Sequence, residues 1–259
     1  MKFRRLKQRV HDFYISALAL RILGLIFLTV GLAGNVIQRT LGVGVVSNSQ
    51  LWQIMQESDT AMRLAATALV FQALEALAVP IFVFLLIEGA LGTSSYRNYL
   101  LRVLLLAVVC EVPYNLATSG EVLSFGSLNP VFAMASCLVM LFFFKRFPGK
   151  KASYVVIKII AVIGAFLWSN ILGISNGVCC VLLAAALWVF HNRLNLRNIA
   201  GVLTMVLCGI FSPFYIVGAL AFLPIYFYLD ELTPKTNRLA NYLPYPIILL
   251  ITWLVSSFI

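Results

Sequence analysis

Between residues 14 and 37 the chain carries a single charged side chain, Arg21, and between residues 61 and 91 it is again almost wholly apolar. An α-helix needs about 20 consecutive apolar residues to cross the hydrocarbon layer of a bilayer. Further apolar segments follow at 100–116, 130–144, 154–168, 178–190, 199–229 and 245–258. Composition decides between water and lipid as the surrounding solvent. Hydrophobic residues are 62% of the 259, charged residues only 11%, and mean hydropathy is +0.98, against about 45–50% and 25% in soluble domains. So short a soluble chain cannot hide that much apolar surface. Disordered, collagen-like and disulfide-scaffold classes fail as well, because the chain is apolar and holds just 16 Gly and five Cys. The alternation of a β-barrel is absent. The sequence predicts an all-α, polytopic transmembrane helix bundle, one membrane domain over residues 1–259.

Charge sets the expected topology. The 19 Lys and Arg against nine Asp and Glu read as the positive-inside signal of cytoplasmic loops rather than as a nucleic-acid surface. Residues 1–13 are basic, and alternate loops carry Arg97 and Arg102, then Lys145, Arg146, Lys150 and Lys151, then Arg193 and Arg197, then Lys235 and Arg238. The loops at 117–129, 169–177 and 212–216 carry no Lys or Arg, and the polar 38–60 loop has only Arg39. This pattern gives about nine spans (eight to ten), a cytoplasmic N-terminus and a place in the cytoplasmic (inner) membrane. The over-long 61–91 run is expected to be broken at Pro80. The 199–229 run is expected to divide at Ser212-Pro213 into two short spans.

Ionisable groups at membrane depth are costly and therefore mark candidate sites. They are Arg21, Arg63, Glu75, Glu88, Arg102, Glu111 and Lys158. Arg21, Arg102 and Lys158 lie near a cytoplasmic end, where their side chains can snorkel. Glu75 sits near a bend, with Gln72 one turn away. Glu111 and Asn115 share a helix face, with Pro113 between them removing a backbone donor. The two histidines, His11 and His191, fall in basic segments, so no membrane-buried imidazole is expected. The five cysteines lie inside apolar spans without a C-x-x-C and read as small core residues. No metal site and no phosphate-cradling glycine motif is present.

Residues 79–129 read VPIFVFLLIEGALGTSSYRNYLLRVLLLAVVCEVPYNLATSG and end in FGSLN. This stretch resembles the TraX family, membrane proteins named for the conjugation protein that acetylates the N-terminus of F-type pilin. The family pattern, roughly A-F-P-L-F-A-F-L-x-V-E-G, then H-T, Y-x-x-R-L and S-E-I-P-F-D-L, is matched at Pro80, Phe82, Phe84, Glu88, Gly89, Thr93, Tyr99, Arg102, Glu111, Pro113 and Asn129. Tyr245-Pro246 resembles the family's terminal F-Y-P-x-H. The departures fall on polar positions. The Asp-His pair of the family's first span corresponds to Gly31 and Leu32, the Arg before A-F-P to Ala76, the His before Thr93 to Gly92, the Asp after E-I-P to Asn115, and the terminal His to Ile248.

Acyl transfer to an amine needs a base for the amine proton and donors for the developing oxyanion. A chain that keeps the skeleton and loses these six polar positions is expected to be a non-catalytic scaffold or subunit of a membrane complex, of transporter or secretion type. Its partners are then the lipid bilayer and other membrane chains, met through the small-residue stretch from Gly201 to Gly209 or the Phe142–Phe144 run, with no cofactor and no nucleic acid. The alternative is an acyl-coenzyme A dependent N-acetyltransferase with a rearranged site. There Glu88, Arg102 and Glu111 form the catalytic core, Thr93, Tyr99, Asn115 and Asn129 bind substrate, and acetyl-coenzyme A is the donor. A desolvated carboxylate can serve as base, since burial strengthens its hold on a proton. A third reading is a small transporter built on helices broken at Pro80 and Pro213.

Overall fold

The computed structural model describes residues 14–41, 58–124, 126–229 and 242–258. His11, most of the 38–60 loop, and Lys235 and Arg238 lie outside the described residues. Helices dominate: α1 (Ala17–Thr40), α2 (Asp59–Glu75), α3 (Ala78–Gly92), α4 (Tyr96–Thr118), α5 (Pro130–Arg146), α6 (Ala152–Ile171), α7 (Gly177–Val189) and α8 (Leu194–Cys208). After them come α9 (Phe214–Gly218), a 3-10 turn (Ala219–Ala221), α10 (Phe222–Tyr226) and α11 (Pro244–Ser257). Among the described residues the only β contacts are two isolated bridges, Ile15 with Tyr228 and Leu128 with Ile174.

Several helix starts are written in side chains that satisfy otherwise orphaned backbone donors. The Ser16 hydroxyl accepts from the Ala19 amide, Ser58 from Ala61, and the Asn129 carbonyl oxygen from Val131 ahead of a proline in the first turn of α5. The long second run is broken, as its proline requires, but the break falls upstream of Pro80. Helix α2 stops at Glu75 and α3 resumes at Ala78. Pro80 has no N–H for the carbonyl four residues back, that of Ala76. That carbonyl faces Gly218 instead, where a Cβ would come within 2.7 Å of it. Pro113, by contrast, lies inside a continuous α4.

Four segments are long and apolar enough to cross a membrane: Ala17–Thr40, Asp59–Gly92, Tyr96–Thr118 and Ala152–Ile171. Shorter apolar helices lie at Gly177–Val189, Leu194–Cys208, Phe214–Tyr226 and Pro244–Ser257. The division of the 199–229 run is therefore present, with Gly209 to Pro213 as the turn between α8 and α9. Helix α3 is central, burying Ile81, Val83, Phe84 and Ile87 among α1, α5 and α7. Helix α6 is peripheral and leaves Ile160 63% and Trp168 60% exposed, surface that only lipid can cover at low cost. The glycines of α8 are used within the bundle. A Cβ on Gly201 would strike the Phe222 ring, and one on Gly209 would lie 2.7 Å from Ile216.

Candidate functional site

Helices α1 and α2 approach closely because small residues line their contact. Ala65 and Ala68 are fully buried, and a Cβ on Gly34 would sit 2.9 Å from the Phe71 Cβ. Close approach brings polar side chains of the two helices together. The Gln72 amide donates to Gln38 Oε1 at 2.9 Å and more weakly to Asn35 Oδ1 at 3.4 Å. One turn further on, the Glu75 side chain lies against Gly31, so that a Cβ at position 31 would collide with Glu75 Cβ and Oε2.

Two cavities of about 170 Å³ each meet at Glu75 and share Asn35 and Asn176 in their walls. Helix walls enclose this carboxylate deep in the bundle, and its remaining accessible surface faces these cavities. It has no hydrogen-bond or ion-pair partner among the described residues. The first cavity has an apolar floor of Leu28, Leu32 and Leu249 beneath the rings of Tyr114 and Tyr245. The second is lined by Gln72, Ser212, Phe214 and Tyr215. Most neutral polar groups here are fixed by one another. Tyr114 and Ser175 share a 2.7 Å hydrogen bond, and the Tyr215 hydroxyl donates to Asn176 Oδ1 at 2.6 Å. The Tyr245 hydroxyl is buried without a partner. No Lys, Arg or His among the described residues lines either cavity. The chamber is thus a lone carboxylate among hydroxyls, amides and aromatic rings, able to hold a cation or to accept a proton.

The residues singled out from the sequence are not gathered in this chamber. Glu111 Oε2 accepts from the Asn129 amide at 3.1 Å and from its side-chain Nδ2 at 2.6 Å, while Nδ2 also donates to the Ala107 carbonyl at 2.8 Å. Glu111 and Asn129 thereby fasten the start of α5 to α4. Asn115 is 2% exposed, with Oδ1 unpartnered. Thr93 ends α3, its hydroxyl donating to the Ser95 carbonyl. Glu88 lies at the opposite end of the bundle from the Glu111–Asn129 pair, 3.6 Å from Arg197, whose guanidinium stacks 4.7 Å from the Phe84 ring centre. Near that end the Tyr99 hydroxyl reaches the Leu86 carbonyl, in space left by Gly89, and lies within electrostatic range of Arg21 and Arg102. The Nε atoms of Arg102 and Arg197 are buried and unpartnered. Lys158 reaches the Gly149 carbonyl in the loop before α6.

His191, the one histidine among the described residues, is held by the Trp188 carbonyl at the end of α7. No three His, Cys, Asp or Glu side chains among the described residues converge as a metal site, and all five cysteines are free and buried. Sequence reasoning placed Glu75 at a bend but did not give it the site. The available signal was Gln72 and Glu75 three residues apart in an apolar run, together with Gly24, Gly31 and Gly34 in the first span. Of the other departures from the family pattern, Leu32 and Ala76 line the chamber and Ile248 adjoins Leu249 in its wall, whereas Gly92 ends α3 at the Glu88 end. Leu32 and Ile248 pack into one apolar cluster with Leu28 and Leu249, and Ala76 forms the break between α2 and α3.

The family model described as TraX protein matches residues 17–256. No curated protein and no solved structure matches the chain. The match runs from the first described helix to the last, and this multi-pass membrane protein belongs to the TraX family.

Proposed function

We propose that the chain is a TraX-type acyltransferase of the cytoplasmic membrane with a rearranged site, in which Glu75 is the base. The carrying observation is that the Glu75 carboxyl lies directly against Gly31, the position that corresponds to the polar pair of the family's first span. Helix α2 thus supplies an ionisable group where α1 lacks one. An acceptor amine in the chamber would give its proton to Glu75 as it attacks the acyl carbonyl, and collapse of the tetrahedral intermediate would break the C–S bond, the coenzyme A sulfur leaving as a thiol with the proton returned from Glu75. The unpartnered Tyr245 hydroxyl would donate to the oxyanion that forms. A phosphate-bearing acyl-coenzyme A donor fits the other end of the bundle, where Arg21, Arg102 and Arg197 gather around Tyr99, Tyr228 and Glu88. The two ends are 13 residues apart along α2–α3 from Glu75 to Glu88, roughly 20 Å at helical rise. With basic loops inside, as the charge pattern of the sequence leads one to expect, the arginine end would face the cytoplasm, where such a donor is made.

The scaffold reading has its own support. Leu32 and Ile248 belong to one apolar cluster where the family has imidazoles, and His191 is held at a helix end. Purified protein in lipid nanodiscs separates the two. With acetyl-coenzyme A and a panel of primary amines, saturable donor binding and acetyl release are expected, release falling about 100-fold or more in Glu75→Gln with donor affinity retained. Donor that neither binds nor loses its acetyl group, together with a stoichiometric co-purifying membrane chain, overturns the transferase in favour of the scaffold.

A further inference from the structure

The chamber has a chemistry of its own, whether or not acyl transfer occurs there. Among the described residues a single carboxylate, Glu75, faces both cavities, and no cationic side chain lines them to balance it. Burying an unpaired charge is costly, and a ligand of opposite charge relieves that cost. The walls near the carboxylate add the rings of Tyr114, Tyr245, Phe214 and Tyr215, whose faces attract organic cations strongly once water is excluded. The first cavity continues into an apolar floor of Leu28, Leu32 and Leu249, suited to an alkyl group. A volume of about 170 Å³ compares with the ~150 Å³ that accommodates benzene in a protein interior, so each lobe takes about six heavy atoms.

From this we infer that the chamber binds a small organic ammonium ion, its charged nitrogen at Glu75 between the tyrosine rings and its alkyl part on the leucine floor. The inference names the ligand class of the chamber used in the proposed function. It does not depend on transfer, because a quaternary ammonium, having no N–H to acylate, satisfies the same contacts.

The test uses the full chain in nanodiscs without any acyl donor. Calorimetric titrations are run with butylammonium, tetramethylammonium and the neutral 1-butanol. Both cations are expected to saturate, and butanol to bind about tenfold or more weakly. Glu75→Gln should lower cation affinity by about tenfold or more, the size expected for losing a charge-assisted contact in a dry site, with an unchanged circular dichroism spectrum. Should that variant fail to fold, the natural chain gives a second readout. Modification of Glu75 by a hydrophobic carbodiimide, followed by mass spectrometry, should slow in the presence of tetramethylammonium. Equal binding of butanol and the cations, undiminished cation affinity in folded Glu75→Gln, or a modification rate indifferent to tetramethylammonium each overturns the inference. Cation binding without acetyl release leaves the inference standing and removes the transferase. Acetyl release without cation binding does the reverse.

Discussion

Replacing Gly31 with Ala tests the close contact on which the site depends. Ala is the better helix former by about 1 kcal/mol, so in an open position of a helix the change should stabilise. Gly164, in the exposed middle of α6, is such a position, with nothing within 4 Å of a new Cβ. At Gly31 the new methyl meets Glu75 at its Cβ as well as its carboxylate, so a rotamer change in Glu75 cannot clear the clash and the helices must part slightly. Overpacking of this kind costs about 1–3 kcal/mol, leaving Gly31→Ala neutral to about 2 kcal/mol destabilised. For a chain of this size 1 kcal/mol is about 2–4 °C of Tm. Gly164→Ala should therefore melt about 2–4 °C above the natural chain, and Gly31→Ala about 2–12 °C below Gly164→Ala. A thiol-reactive dye reads the melt directly, because all five cysteines are free and buried until the bundle opens. In a Glu75→Gly background, which removes the Cβ as well as the carboxylate, the penalty at Gly31 should vanish, a coupling of about 1–3 kcal/mol between the two sites. Equal melting shifts for the two glycine variants, or additive effects with Glu75→Gly, would refute the contact and with it the relocation of the carboxylate from α1 to α2.

Two further perturbations concern the polar contacts outside the chamber. Glu111→Ala strips the acceptor from the Asn129 amide and shares the loss with its side chain, which should cost about 2–3 kcal/mol in a detergent unfolding titration. Glu111→Gln keeps an acceptor oxygen and should cost less than half as much, and equal losses would show that the pair does not fasten α5. Arg197→Met leaves Glu88 without this partner. Since the Glu88 side chain keeps 27% exposure, the expected loss is about 1–3 kcal/mol rather than the full cost of a buried orphan charge. Adding Glu88→Gln should recover at least half of that loss, whereas simple additivity would mean the pair contributes nothing.

The architecture was readable because the bilayer imposes a one-dimensional rule: apolar length marks a span. Both over-long runs divide as their prolines demand, and the residual error at Pro80 is the distance over which a missing N–H acts, back to the carbonyl of Ala76. The site was less readable. Glu111 and Asn129 stood out because they match a motif, yet their groups are occupied in holding α4 to α5. Glu75 matches no motif. Its importance follows from α1 and α2 packing closely enough to bring it over Gly31, and pairwise helix contact is a property that no periodicity within one helix encodes. The positions of Leu32 and Ile248 illustrate the same limit: more than 200 residues apart in the chain, they lie in one apolar cluster.

The choice between an active chamber and a retired one turns on what the fold tolerates without benefit. A membrane bundle has a net stability of about 5–15 kcal/mol if it resembles other domains, and an unpaired carboxylate enclosed by helices in a cavity wall subtracts from it. Relief would be simple: a leucine at position 75 would fill part of the cavities and meet the apolar floor of Leu28, Leu32 and Leu249. That solution is the one found at positions 32 and 248, where the chain is apolar and packed. A scaffold freed from chemistry has reason to finish the conversion at position 75. This chain instead keeps a glycine at 31 that serves to admit the Glu75 side chain, at a helix-propensity cost of about 1 kcal/mol. On the proposed function, these two costs in contact with each other, beside an unpartnered tyrosine hydroxyl, are what a site kept for a ligand at the expense of stability would carry.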